Sequence, residues 1–481
     1  LILTISFVFL SISLVMAHLK VAPAEGGEYI EGLIGSPKYI NPLYAGFSDV
    51  DSDISRLIFS SLLKREKDGK LINDLAEKLA ISEDGKVYSF MIRKDVKWHN
   101  GSFLTVDDIF FTFNAINDDR FKSPLRGSFI GVEIEKGSEG EIKFILKEPY
   151  AAFPELLTFG IMPQDLWYQF SPQAAVLAEL NLKPIGSGIY KFKSLAKDKN
   201  GQIKSYNLTV NEDYYGSKPH ITGLTFKFFP DFFGATRALN ENAIDGVSYL
   251  PRSAQKELVA KNSLNINKLN LPNLTAIFFN QKTSEPLKEK AVRQALSFAI
   301  DKNKIIENIF GGEARVIDGP ILSDSFAYNS DNKYQFNLGR AEKILDEAGW
   351  KIKEITREDL KKAEEEKESV DKKIKNAAAG KLSVGSGKWR AKNDTFLVVK
   401  LTTVDTEDNS MTVAAVKEMW EKLGVKTEIE LIAPAQIRNE VIKSRNFSAL
   451  LYGEVMGADP DAYAFWHSSQ AGENGLNISD Y

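Results

Sequence analysis

The sequence predicts an α/β fold in which strands and amphipathic helices alternate along the chain. Three stretches carry that prediction. Residues 87–92 (VYSFMI) alternate strand-favouring side chains; Thr105 then opens an apolar-periodic run with Asp108 three residues on, the spacing of a capping box. Residues 274–281 (LTAIFFNQ) read as a buried strand. The helix after it, over 288–300, places Val292, Ala295, Leu296 and Ala299 at i, i+3, i+4 and i+7. Residues 396–402 form a further strand, and 412–422 a helix that stops before Gly424.

The remaining elements follow in order. Alternation starts a strand at Tyr29, the Asn41-Pro42 step breaks it, and a helix runs over 51–63. Asp84-Gly85 and Asn100-Gly101 are turn dipeptides on either side of the 87–92 strand. Residues 141–147 (EIKFILK) form a strand before Pro149. In residues 184–190 (PIGSGIY), Gly186 and Gly188 read either as a tight turn or as a hinge, because glycine accepts backbone angles that other residues resist. Strands over 206–210 and 221–229 lead to a helix and turn over 235–246, with Asn242-Ala243 in the turn. Asp301 caps a helix over 302–310 that Gly311-Gly312 stops, and Gly349 stops another over 340–349. Residues 351–387 are dense in Lys and Glu, with favourably oriented pairs Glu358→Lys362, Glu368→Lys372 and Asp371→Lys375. They read as a charged surface helix followed by a flexible Ala/Gly/Ser linker, either a solvated spacer or a docking element for another subunit. A strand over 449–452 precedes Asp459-Pro460-Asp461.

At 481 residues the chain is long enough for roughly three domains. It is 43% apolar and 26% charged, with a formal net charge of −4 and the two signs mixed. No basic face is available to neutralise phosphates, so nucleic acid is not an expected partner. The absence of cysteine excludes disulfides, thiolate nucleophiles, cysteine zinc sites and a lipid-modified N-terminal cysteine. Residues 1–19 carry no formal charge and are mostly apolar, and Val15-Met16-Ala17 and Ala22-Pro23-Ala24 offer small residues to a signal peptidase. Residues 1–24 therefore read as a signal peptide or as an N-terminal membrane anchor. Either reading puts the rest of the chain outside the cytoplasm.

The sequence offers no catalytic set. His18, His99, His220 and His467 are its four histidines; none stands four residues from another, and no H-E-x-x-H, G-x-S-x-G, Walker A or dinucleotide fingerprint occurs. His99 reads as a structural residue of its turn and His467 as a packing residue. No enzymatic activity, metal site or cofactor is expected.

Residues 75–113, LAEKLAISEDGKVYSFMIRKDVKWHNGSFLTVDDIFFTF, resemble the signature of the family-5 solute-binding proteins, the oligopeptide and dipeptide receptors of ABC importers. Arg93, Lys94, Val96, Trp98, His99, Gly101, Thr105, Asp107 and Asp108 all match it. VRQALSFAIDKNKII from Val292, RAEKILDEAG from Arg340 and PIGSGIY from Pro184 match further segments in the same order. The resemblance spans residues 29–481 apart from 351–387. It implies a periplasmic-binding-protein-like α/β fold (type II, cluster C), with two lobes joined by a hinge and an extra small domain. Residues 29–63 and 184–272 would be lobe I, 64–183 the extra domain, and 273–481 lobe II carrying the charged insert. A C-terminal return to lobe I is expected beyond the last residue present.

The same resemblance implies a monomeric substrate-binding component that captures peptides outside the cytoplasmic membrane and passes them to a permease driven by ATPase subunits. A nickel-chelate, haem or oligosaccharide receptor of the same family is the alternative. A ligand sensor without transport and a secreted hydrolase also stay open. Within residues 452–466 (YGEVMGADPDAYAFW), Asp459 matches the family's aspartate that holds the ligand's α-ammonium, or is a turn residue before Pro460. Met456 and Gly457 lie beside it, Met456 as pocket wall or core; Glu454 is a second carboxylate, surface or ligand-facing. The resemblance adds Gly46, Phe47 and Ser48 at the cleft mouth, and Asn273 and Leu274 at the start of the 274–281 strand. The chemistry is coherent. Peptides of differing sequence share only a backbone and terminal charges, so a receptor indifferent to side chains must draw affinity from those. A carboxylate facing an ammonium contributes roughly 1.5–3 kcal/mol.

Overall fold

The structure, a computed structural model, describes residues 24–66, 69–259, 263–269, 273–322, 328–329, 334–434, 436–455, 466–471 and 477–479. The expected signal or anchor, residues 1–24, lies outside them but for Ala24. The chain divides into two compact units, Leu1–Asn267 and Lys268–Tyr481.

In the first unit, β1 (Glu28–Ile34) precedes α1 (Asp49–Ile58), then β2 (Leu63–Arg65), β3 (Leu71–Asn73), β4 (Ala76–Ile81), β5 (Val87–Ile92) and α2 (Val106–Asn117). After β6 (Glu133–Lys136) and β7 (Glu141–Ile145) come β8 (Tyr190–Lys197), β9 (Ile203–Val210), β10 (Gly223–Phe229), α3 (Phe232–Asn240) and β11 (Gly246–Val247). Short one-turn helices between them are left unlabelled. A five-stranded sheet runs β11-β1-β10-β9-β8, with β1 parallel to both neighbours and the rest antiparallel. Leu33, Ile54, Ile58, Tyr206 and Phe226 fill the core between this sheet and α1. A second, antiparallel sheet runs β4-β5-β7-β6. Its alternating inward residues, Phe90, Ile92, Ile142 and Phe144, meet Ile109 and Phe113 of α2. The capping box read from the sequence is present in full: Thr105 and Asp108 each bond the other's backbone N–H. Asn242 takes a left-handed conformation (φ 54°) and makes the turn after α3, a role asparagine fills at low cost.

Gly186 and Gly188 are not at positive φ. Backbone freedom is therefore not why glycine stands there. A Cβ on Gly186 would lie 2.0 Å from the Ile58 carbonyl oxygen, and one on Gly188 2.5 Å from that of Leu57. The segment lies flush on the end of α1, and only glycine fits.

The second unit holds β12 (Asn273–Phe279), α4 (Lys290–Phe298), α5 (Lys302–Phe310), α6 (Leu338–Glu347), β13 (Lys351–Ile355), α7 (Arg357–Glu366), α8 (Lys372–Val384), β14 (Gly387–Lys392), β15 (Thr395–Phe396), β16 (Val398–Val404), α9 (Glu407–Lys422), β17 (Lys426–Ile432) and β18 (Ala449–Val455). Its main sheet runs β12-β18-β16-β17. β16 and β17 are parallel, so α9 is the crossover between them. One face of the sheet packs on α4, α6 and α9 through Val292, Leu296, Leu345, Leu401, Val416 and Trp420. The indole N–H of Trp420 donates to Leu296 O at 3.0 Å, which satisfies the only polar atom on that buried ring. The other face carries a smaller cluster that includes Phe278, Leu450 and Phe447.

Two expectations are corrected here. The helix read over 288–300 is broken at Glu289, which is extended. The Glu289 carboxylate accepts from the Trp350 indole at 3.3 Å and from Lys392 at 3.0 Å. The second half of the charged insert is helix α8 and not a flexible linker. Asp371 caps it by accepting from the Lys373 and Ile374 amides. α7 and α8 rest on the three-stranded sheet β13-β14-β15, around a core of Ile355, Val384, Trp389, Ala391 and Phe396.

Candidate functional site

Asn41 builds the first part of the site. It is fully buried; its side-chain oxygen accepts from the Leu43 amide at 2.8 Å and its carbonyl from the Ala45 amide at 2.9 Å. Ser123 Oγ donates to Leu43 O at 2.8 Å, and Ser52 Oγ to Ala45 O at 2.9 Å. Four hydrogen bonds thus fix a single 3₁₀ turn, Ala45–Phe47, at the entrance to α1. Gly46 and Phe47 are exposed on it, Phe47 at 62%. Ser48 is half-buried and extended, and its side chain does not cap α1. A large apolar side chain held outward on a rigid turn is a surface suited to contact.

Tyr44, directly before that turn, was not singled out by the sequence reading. It is buried, packs edge-on against Tyr39 at 5.7 Å, and burial pushes its phenol up to about 12. Its hydroxyl has no hydrogen-bond partner among the described residues. The signal available in the sequence was its adjacency to the family's turn.

In the second unit, β12 is an outer strand and pairs with β18. Asn273 stands opposite Val455, and Leu274 opposite Glu454. Three of the candidate residues therefore meet at one end of one strand pair. Asn273 is exposed there. Leu274 is 2% exposed, so its side chain belongs to the interior and only its backbone is offered at this end. The chain leaves β18 toward Met456, Gly457 and Asp459, which lie outside the described residues. It is described again at Trp466, whose ring stacks on Phe278 at 5.8 Å and whose buried indole N–H has no partner among the described residues. His467 is exposed. Its carbonyl accepts from Asn477 Nδ2 at 3.2 Å.

His99 lies in the 97–103 turn and packs against residues 186–188. Among the described residues no group of three or more His, Asp or Glu side chains could hold a metal ion, and no helix is long and apolar enough to cross a membrane.

Helix-covered sheets in both units define an α/β protein, with candidate residues at a helix entrance in the first unit and at a strand end in the second. The pattern of the family described as bacterial extracellular solute-binding proteins, family 5 Middle, matches residues 70–476, and the chain belongs to that family. The oligopeptide-binding protein AppA of Bacillus subtilis (strain 168) is 28% identical over 468 residues, 95% of this chain and 79% of that relative. The solved structure of B. subtilis AppA in complex with a nonapeptide has a TM-score of 0.65 at 26% identity, covering 96% of this chain and 85% of that one. The dipeptide-binding protein of Escherichia coli (strain K12) is 30% identical over 342 residues, 66% of this chain and 62% of that protein. The ABC transporter substrate binding protein CtaP of Listeria monocytogenes has a TM-score of 0.74 at 26% identity, over 95% of this chain and 84% of that one. The fold class expected from the sequence is that of these solved relatives. The family is one of extracellular solute-binding proteins and not of enzymes.

Proposed function

We propose that this chain captures peptides outside the cytoplasmic membrane and delivers them to the permease of an ABC importer. The observation that carries the reading is the likeness to AppA, which extends over 95% of this chain and to a relative solved with a nonapeptide. The described candidates agree with it. A peptide presents backbone amides and apolar side chains; the second unit offers a strand pair ending at Asn273 and Val455, and the first unit an exposed turn at Phe47. Asp459 is assigned the ligand's α-ammonium. In this reading the protein works as a monomer, and its N-terminal segment is either removed as a signal or kept as a membrane tether. Residues 29–63 with 184–272 act as one lobe, 64–183 as an added domain and 273–481 as the other lobe.

Asp459→Ala is the direct test. Removing one partner of a desolvated charge pair costs about 3–5 kcal/mol, or roughly 150- to 4,000-fold in affinity. Calorimetric titration with free-amino peptides should show that loss, and N-acetylated peptides should lose far less. Equal loss for both would take Asp459 out of the ammonium role. Native mass spectrometry of protein purified from cells should find co-purified peptide. Retention of a nickel chelate, haem or an oligosaccharide instead would replace peptide as the ligand class.

A further inference from the structure

Residues 186–188 are bonded at nearly every backbone group. The Gly186 carbonyl accepts from the His99 amide at 2.8 Å, and the Gly188 amide donates to Ile58 O at 2.7 Å. Ser60 Oγ donates to Ser187 O at 3.1 Å. The Gly188 carbonyl accepts from Asn211 Nδ2 at 2.9 Å. The His99 ring closes the set. Its Nδ1 accepts from the Gly186 amide at 3.2 Å, and its Nε2 lies 3.2 Å from Gly188 O. This strap joins the 97–103 turn, the end of α1 and the turn at Asn211.

The bonds fix the state of the imidazole. A backbone N–H can only donate, so Nδ1 must carry the lone pair, and Nε2–H must donate to Gly188 O. An imidazolium would point a second N–H at the Gly186 amide, donor against donor. We infer that His99 is an acid-sensitive latch: neutral, it bolts the 186–188 strap to the 97–103 turn and the end of α1; protonated, it releases that strap.

The surroundings favour the neutral ring. Burial is the main cause and pushes His99 down to about 4, the Gly188 bond acts in the opposite direction, and Lys191 on β8 adds a small repulsion. On the turn itself, Lys97 is paired with Asp213 at 3.3 Å. The strap, the end of α1 at Leu57 and Ile58, and Asn211 bring no charge to the ring. Because the latched ring titrates below its ordinary 6.5, the released state binds more protons between about 4 and 6.5. The latch is therefore complete above pH 6.5, weakens as pH falls toward 4, and loses nothing further below that. Tenfold per pH unit gives up to roughly 300-fold over the window.

Two measurements on the full chain test this. An NMR titration of ¹⁵N-histidine-labelled protein, with His99 assigned by elimination using His18→Gln, His220→Gln and His467→Gln, should show His99 as the neutral Nε2–H tautomer until close to pH 4. Hydrogen exchange of residues 184–190, normalised to intrinsic rates, should quicken by up to roughly 300-fold between pH 6.5 and 4 in the wild type. In His99→Gln the strap should exchange fast at every pH. A ring that titrates near 6.5, an Nδ1–H tautomer, or normalised strap exchange that stays flat with pH in the wild type would each overturn the latch. The titration decides the question even where His99→Gln fails to fold.

Discussion

Arg390→Met is expected to destabilise the second unit by about 2–6 kcal/mol, the cost of leaving two buried carbonyls without a donor. Arg390 is a buried guanidinium, 3% exposed, on β14. Its Nε donates to Leu423 O at 2.8 Å, and one terminal nitrogen donates to Trp350 O at 2.7 Å and to Asp346 Oδ1 at 2.8 Å. Leu423 caps the C-terminus of α9, and Trp350 follows that of α6. One cation thus serves two helix ends, where carbonyls lack intrahelical partners and the helix dipole is negative. Methionine fills most of the space but leaves both carbonyls without a donor. Arg390→Lys should recover only part of the loss, because a point donor cannot reach acceptors in three directions. Asp346→Asn should cost under about 1 kcal/mol, since that carboxylate is half-exposed and screened. Hydrogen exchange of β14 and α9 amides reads the series. An Arg390→Met protein within about 1 kcal/mol of wild type would remove the guanidinium from this role.

The contrast between what the residues disclosed and what they hid follows from sequence distance. Thr105 with Asp108, and Asp301 with the Lys304 amide, were legible because a cap is made by residues three apart. Strands β1 and β5 were legible from side-chain alternation, whereas β6 and β17 were not read at all. Arg390 was not, because its acceptors lie 33 to 44 residues away and nothing local marks an arginine as buried. His99 was recognised as structural from its motif, but its bonds to residues 87 and 89 positions on could only come from the fold. The insert misled for a related reason. Within residues 351–387 apolar side chains are sparse, which reads as a spacer. Three of its five core residues, Trp389, Ala391 and Phe396, lie beyond that stretch.

The site divides along the same line. Gly46, Phe47 and Ser48 came from the family resemblance, and the exposed turn gives them a physical form. Leu274 was placed by its position at a strand start. Periodicity could not say which face of that strand was interior, because β12 packs apolar residues on both faces, Ile277 and Phe279 on one and Phe278 on the other. Asn41 was read only as the start of a turn at Pro42 and Ser123 not at all, for want of any local sign that their polar side chains were buried.

Gly186→Ala should cost about 3 kcal/mol, the upper end for overpacking, because the obstruction is backbone. The added methyl would sit 2.0 Å from the Ile58 oxygen and 2.7 Å from its carbonyl carbon. No rotamer relieves such a contact; the strap must lift from α1. Lifting it breaks the Gly188 to Ile58 bond and pulls Gly186 from the His99 ring. α1 would then lose a restraint at its far end while its near end presents the Phe47 turn, so peptide affinity should weaken alongside stability. Gly127 is the matched control. It is exposed, is not at positive φ, and has nothing within 4 Å of an added Cβ. Gly127→Ala should therefore change stability by less than about 1 kcal/mol, in the stabilising direction if at all. Urea unfolding of the two variants separates the readings. Similar midpoints would mean that α1 and the strap do not press together as closely as the geometry requires.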